Sequence, residues 1–471
     1  MKHTLRLVAV AGALVGAAAC SSDQLLLPNG NQPTVTAIEN DPNGLRLLAT
    51  GIQRQLRDQA ADYINVLGKL GRENYDYTPT EGRNTTGFLG TRTLDRAGFA
   101  SGAFFGRYFN IRNVRTFLQL VDRNAVLTAE EKSAANGFGK TIEGLELYYV
   151  IATRDTLGAV VQQSDEPTDA FPFVSRDSVY RFIVAKLNDA AANLSAGGTE
   201  FPFDLTSGFT GFTTPATFLQ FNRAIAARVL VTHASIGCGM SCYQAALTAL
   251  SGSFIDENAA AFGPTADKGV FNVFSTGSGD TQNAASLTVS QFRVAQPSVR
   301  TDAPVRADGT RDLRFQSKVR TRATQLCPVP ASIGICTDQT FAGLYPTGGS
   351  SIAIIRNEEL VLLRAEARWF TGNKAGAIED INRIRVRSGG LAVTTLTTGS
   401  SDDAFITELL LQRRFSLLYE GFRLVDVRRF NRVNTLPLDL PTQFRNSVLP
   451  VPQAECLFRV NLPVALRAPG C

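Results

Sequence analysis

Side chains able to do covalent chemistry are few and scattered in this sequence. It has only two histidines, His3 and His233, so a Ser–His or Cys–His pair has almost nothing to be built from. His233 lies near the end of an apolar helical stretch, where packing or a helix-end contact suits it better than proton transfer. Gly137-Phe-Gly-Lys-Thr141 has the tail of a phosphate loop, but Ala134 stands where the first glycine belongs and no strand precedes it. It reads as a helix interior. The carboxylate pairs Glu358/Glu359 and Asp402/Asp403 could supply the two acids of a glycoside hydrolase, although solvated or helix-cap positions account for them more simply. Arg413, Glu420, Arg423, Asp426 and Arg428 are dense charges inside apolar sequence. They could form an anion site; a structural ion-pair network is predicted instead, because buried charges need partners. No catalytic residue, metal or cofactor is predicted. Two loop regions gather aromatic and polar side chains that non-covalent binding could use. One offers Tyr75, Tyr77, Arg83, Asn84 and Phe88; the other offers Phe271, Phe274, Phe292 and Arg293. Any one of these rings can instead pack its own loop down. Trp369, the only tryptophan, lies in a helix that reads as buried.

These loops need a helical frame. Residues 41–70 predict a helix opened by Asp41 and Pro42, with Leu45, Leu48, Ile52 and Leu56 in period. Residues 72–100 break the period and read as a long loop. Helices follow at 104–121, at 128–153 behind the capping box Thr128-Ala-Glu-Glu131, and at 176–194, 215–235 and 243–250. Residues 252–349 hold no sustained helical pattern and form a long irregular insertion, with short strands suggested around Phe271/Val273 and Ser317/Val319. Residues 352–370 are apolar almost all round and read as one buried helix, which Gly372 ends. Asn373 can cap the next helix, which Gly389 and Gly390 stop. A short loop spans 391–400, a third helix spans 408–430, and 437–471 reads as an extended tail. Helices joined by short turns make hairpins, and four emerge in order.

The amino terminus, MKHTLRLVAVAGALVGAAAC, has basic Lys2 and Arg6, an apolar core and a small-residue end before Cys20. Residues 1–19 read as a secretory leader, too short for a membrane span, with Cys20 as the acylated first residue of a lipoprotein. Ala17 replaces the usual leucine of that signal. Residues 20–40, with Pro28, Gly30 and Pro33, read as a flexible tether. Removing Lys2 and Arg6 lowers the formal charge from +5 to +3, too small to suggest nucleic acid. Six cysteines remain after Cys20, in near pairs: Cys238 with Cys242, Cys327 with Cys336, and Cys456 with Cys471. An even number in an exported chain suggests disulfides, and closeness favours these three. A metal site is disfavoured, because no pair has C-x-x-C spacing and His233 stands alone.

The last quarter of the chain resembles the SusD/RagB family of surface lipoproteins. Arg356, Glu359, Leu362, Leu363, Ala365, Glu366 and Ala367 match its first block. Ala377, Ile378, Ile381, Asn382, Arg385, Arg387, Ser388 and Gly389 match its second. Arg413, Leu417, Glu420, Gly421, Arg423, Asp426 and Arg428 fit the third, with Gln412 and Ser416 where the family has acids. Pro450, Val451, Pro452, Gln453 and Glu455 fit its closing motif. The resemblance implies a mainly α, SusD-like fold of four tetratricopeptide-type hairpins with few short strands. Residues 41–471 would form one body: repeats over about 41–250 and 351–390, a ligand-region insertion over about 252–349, and the family motif and tail over 401–471. It implies a non-enzymatic role at the cell surface, anchored in the outer membrane: capture of an oligosaccharide and delivery to a TonB-dependent, SusC-like transporter. Alternatives are a RagB-like peptide receptor, a structural repeat scaffold, and a hydrolase using paired carboxylates.

Overall fold

The computed structural model describes residues 43–90, 94–98, 102–162, 164, 169–259, 262–263 and 267–471. The leader, Cys20, the tether, Asp41 and Pro42 lie outside these residues. The first predicted helix is divided at Gln59 into α1 (Gly44–Asp58) and α2 (Ala60–Leu70). The loop after it contains a short strand, β1 (Asn74–Asp76), and one helical turn, α3 (Arg83–Thr86).

The next helices follow the sequence periods closely: α4 (Gly102–Arg123), α5 (Ala129–Arg154), α6 (Arg176–Ser195), α7 (Pro215–His233) and α8 (Met240–Ser251). The Thr128 capping box forms: its hydroxyl accepts from the Glu131 N–H at 3.2 Å and Glu131 accepts from the Thr128 N–H at 2.8 Å. Consecutive helices from α4 to α8 pack on one another. Gly137 and Gly139, the phosphate-loop lookalike, lie inside α5 as expected. A Cβ on Gly137 would come within 2.5 Å of Leu194, and one on Gly139 within 2.7 Å of Leu118. These glycines let α6 and α4 close on α5 from two sides.

The insertion contains β2 (Gly269–Asn272), β3 (Arg293–Ala295), α9 (Ser298–Thr301), α10 (Leu313–Lys318), β4 (Arg320–Leu326) and β5 (Thr337–Thr340). Ser317 belongs to α10 rather than to a strand, and β4 starts after Val319. β6 (Ile352–Arg356) precedes α11 (Asn357–Phe370), so the single helix expected over 352–370 is corrected to a strand followed by a helix. The β-branched run Ile-Ala-Ile-Ile pairs antiparallel with β2, far upstream, and that partner decides its conformation. Among the described residues the strands form three two-stranded sheets, β1–β3, β2–β6 and β4–β5.

α12 (Lys374–Arg383) starts at Asn373, whose side chain accepts from the Gly376 N–H at 3.0 Å. Trp369 is core, as predicted: its ring stacks on Phe405 at 4.2 Å, amid Val361, Leu362 and Ile381. The expected third helix is two helices, α13 (Asp402–Ser416) and α14 (Arg423–Arg429). Between them Tyr419 and Gly421 take positive φ values of 59° and 87°. A Cβ at Gly421 would lie 2.8 Å from the Tyr63 ring, so a glycine suits both the turn and the contact with α2. The tail carries one further helix, α15 (Gln453–Arg459). Cys238–Cys242, Cys327–Cys336 and Cys456–Cys471 are disulfide-bonded. No helix among the described residues is long and apolar enough to cross a membrane.

Candidate functional site

The fold joins the two predicted binding loops. β1 pairs with β3, placing Tyr75 opposite Val294 and Asp76 opposite Arg293, and the Tyr77 N–H donates to the Phe292 carbonyl at 3.1 Å. Tyr75, Tyr77, Leu89 and Val294 cluster, with Leu326 against them. The Tyr77 hydroxyl donates to the Ile335 carbonyl at 2.7 Å, which anchors the β4–β5 hairpin. Phe88 is buried with Lys69 Nζ 4.7 Å above its ring, and Lys69 donates to Asn84 Oδ1 at 2.7 Å. Burial lowers the Lys69 ammonium to about 8. Arg83 is exposed and pairs with Glu81, and Phe292 is half-buried. Tyr75, Tyr77 and Phe88 therefore weld one loop to the other; their faces are covered by protein.

Phe271 and Phe274 lie elsewhere. They line a cleft of about 510 Å³ between α1 and β2, with Gln53, Arg57, Phe209 and Asp280. Phe271 is half-buried and Phe274 is buried. The polar lining is largely satisfied within the protein. Arg57 lies 2.9 Å from Asp280, and Gln53 Oε1 accepts from the Thr206 N–H at 2.7 Å.

A third opening has a different character. A groove of about 420 Å³ lies between α4, the residues Val160, Gln162, Ser164, Asp169 and Phe171, and α15. Phe105, Phe109 and Arg112 share one face of α4 by their spacing. Phe105 is 39% exposed, Phe109 55%, and Phe458 on α15 47%. Phe104, which is buried, and Tyr108 also line the groove, and Tyr108 ties α4 to the opposite wall. Its hydroxyl accepts from the Val160 N–H at 2.9 Å and donates to the Val160 carbonyl at 3.0 Å. Arg459 fixes α15 by pairing with Glu455 at 2.5 Å and donating to the Phe171 carbonyl at 2.8 Å. Cys456–Cys471 ties the chain end to the same helix. Gln162, Ser164, Asp169, Arg112 and Glu455 add hydrogen-bonding groups to the lining, with Ser164 donating to Asp169 at 2.5 Å.

The groove thus sets exposed aromatic faces beside amide, carboxylate and guanidinium groups. A sugar ring has the complementary surface: apolar C–H faces edged by hydroxyls. Phe105 and Phe109 are separated by a helical rise of about 6 Å, roughly the length of one hexose unit. Phe105 and Phe109 are not among the predicted binding residues. Two phenylalanines on the solvent face of an otherwise amphipathic helix were the available signal.

Residues 343–455 match the family model described as the SusD family. No curated protein matches the chain by sequence. A SusD superfamily protein from Bacteroides vulgatus superposes with a TM-score of 0.66 at 15% identity, covering 89% of this chain and 97% of that one. A SusD homolog from Bacteroides thetaiotaomicron gives 0.66 at 13% identity, covering 91% and 98%. A SusD-like carbohydrate-binding protein from Bacteroides fragilis gives 0.65 at 13% identity, covering 89% and 99%. The chain has a SusD-like fold.

Of the predicted network, Arg413, Glu420, Asp426 and Arg428 stand in buried ion pairs, whereas no ion pair joins Arg423 among the described residues. Arg356 contacts Glu358 at 2.5 Å, Glu420 at 3.0 Å and Asp267 at 3.2 Å. Arg228 reaches both Glu359 oxygens at 2.6 Å. Arg413 meets Asp426 at 2.8 Å, and Arg429 joins Asp426 at 3.1 Å and also pairs with Glu366. Burial pushes the Glu358 carboxyl up, but Arg356, Lys318 and Arg314 outweigh it and hold the group at about 2. The expectation of solvated or cap positions for Glu358 and Glu359 is corrected: both are buried partners of arginines, so neither is a free acid for hydrolysis. Asp402 and Asp403 do lie in the first turn of α13, where Asp402 accepts from the Trp369 indole N–H at 2.9 Å.

Proposed function

We propose that this SusD-like chain is a cell-surface, outer-membrane lipoprotein that captures an oligosaccharide and passes it to a TonB-dependent, SusC-like transporter. The observation that carries the binding half is the groove with exposed Phe105, Phe109 and Phe458 facing polar groups. A free protein surface gains nothing by keeping three large rings in water, whereas a ligand with apolar ring faces covers them. The carbohydrate-binding relative from Bacteroides fragilis shares the fold and supports the same ligand class. Its role is binding, not turnover.

Residues 1–19 would be removed, Cys20 would carry the lipid, and residues 20–40 would hold the body off the membrane. The body over 41–471 would keep its ligand groove near α4 and α15 and use other helical surfaces for the transporter.

Copurification tests the assembly. The protein is tagged at its carboxyl terminus, extracted gently from its native membrane and captured. A TonB-dependent barrel in stoichiometric amount is expected. A clean monomer from membranes that contain such barrels would overturn the delivery half.

A further inference from the structure

His233, Cys238 and Cys242 converge at the junction of α7 and α8, away from the aromatic groove. One ligating atom from each lies within 4.8 Å of the others. α7 ends at His233, and the π-helical turn Ala234–Cys238 follows, with Gly237 at φ 149° and Gly239 at φ 70°. These two glycines reverse the chain so that Cys238 returns toward Cys242 in the first turn of α8. His233 Nε2 is 2.8 Å from Asp177 Oδ1, and the ring stacks on Tyr180 with centroids 5.4 Å apart. Nδ1 is left facing the sulfurs, 3.7 Å from Cys242 Sγ. Beside them lies a pocket of about 410 Å³, lined also by Asp177, Arg181 and Leu230.

We propose that reduction of the Cys238–Cys242 disulfide converts this cluster into a Cys₂His site for a thiophilic divalent metal such as zinc. Disulfide and metal are then alternative states of the same two sulfurs. Two thiolates and an imidazole are a zinc-type ligand set, and the adjoining pocket leaves room for a fourth, exchangeable ligand. Asp177 is the positioning residue: a carboxylate on the far nitrogen selects the tautomer that offers Nδ1 to a metal. Tetrahedral coordination needs the sulfurs roughly 3.8 Å apart, a separation that side-chain rotation provides once the S–S bond is cut.

The chemistry balances with a phosphine as reductant. Its electron pair breaks the S–S bond, the two sulfurs take up two protons, and the phosphine leaves as its oxide with oxygen from water. Metal binding then releases the two thiol protons.

The test uses the full folded chain and cobalt(II) as the probe. After anaerobic phosphine treatment the wild type is expected to bind one equivalent, with thiolate-to-cobalt charge transfer and the visible bands of a tetrahedral site. Zinc(II) should displace it. The oxidised chain should show none of these bands. Cys238→Ser/Cys242→Ser keeps the other two disulfides for the phosphine to cut and should abolish the signal. His233→Ala should weaken binding at least about tenfold, and Asp177→Asn by about tenfold. Circular dichroism on the same samples reports the helical fold. Equal cobalt binding by the wild type and the double-serine variant, unchanged affinity in His233→Ala, or loss of the fold on reduction would each overturn the proposal.

Discussion

Removing Arg228 while leaving Glu359 should be among the most damaging single changes in this protein. The guanidinium is 2% exposed and the carboxylate 1%, and Arg228 satisfies both carboxylate oxygens at 2.6 Å while donating to the Ile354 carbonyl at 2.6 Å. Burial pulls the Arg228 guanidinium down, yet Glu359 holds it well above its ordinary value. Arg228→Met strands a desolvated carboxylate, which costs about 3–5 kcal/mol. Glu359→Leu strands the arginine at a similar cost. The double variant Arg228→Met/Glu359→Leu removes both charges and loses chiefly the bond to Ile354, so about 1–2 kcal/mol is expected. The double cost should therefore fall short of the summed single costs by at least about 3 kcal/mol. Urea melts of the four proteins measure this cycle. Additive single costs, or a loss below about 1 kcal/mol for Arg228→Met, would refute the view that the motif's charges hold the fold as partners.

Burial raises the Glu73 carboxyl to about 7, against the pull of Arg414 and Arg423. The folded chain thus keeps a proton that the unfolded chain releases near 4.5, and this group's stabilisation is full below that pH and lost as pH rises through 7. Glu73→Gln should flatten the fall in stability between pH 5 and 8 by up to about 3 kcal/mol, measured by urea melts across that range; an unchanged slope would count against it. Thr128→Ala breaks the capping box of α5 and should cost about 1 kcal/mol by the same melts, with no change in ligand affinity.

The helical frame was legible because helices such as α5, α7 and α12 carry their periods and caps locally: Thr128, Thr214 and Asn373 each start a helix within reach of their own side chains. Errors came where distant chain decides. Ile352–Arg356 reads as helix from its sequence, because a short apolar run has no period that excludes one, and only its pairing with β2 makes it a strand. Tyr419 and Gly421 break the third helix because the chain must turn beside Tyr63. The charge network was legible in kind, since apolar sequence cannot hold lone charges, but its pairs span the chain, as Arg228 with Glu359 does. The predicted rings Tyr75 and Tyr77 proved to join their own loop to the second one at Val294. The aromatic groove was harder to foresee. Its walls come from α4, from residues such as Val160 and Phe171, and from α15, and sequence order gives no sign that these meet.

The most direct test of the account is titration calorimetry of the wild type and of Phe105→Ala/Phe109→Ala against a panel of neutral gluco-, manno- and xylo-oligosaccharides. The two rings are 39% and 55% exposed. At about 200 Å² per side chain they offer about 190 Å², of which a stacked ligand covers roughly half. At about 25 cal/mol per Å² that contact contributes about 2.4 kcal/mol, or about 50-fold in affinity. The account predicts that at least one member of the panel binds the wild type and that the double variant binds it about 50-fold more weakly with its fold intact. A panel with no binder, or a variant that binds as tightly as the wild type, would contradict it.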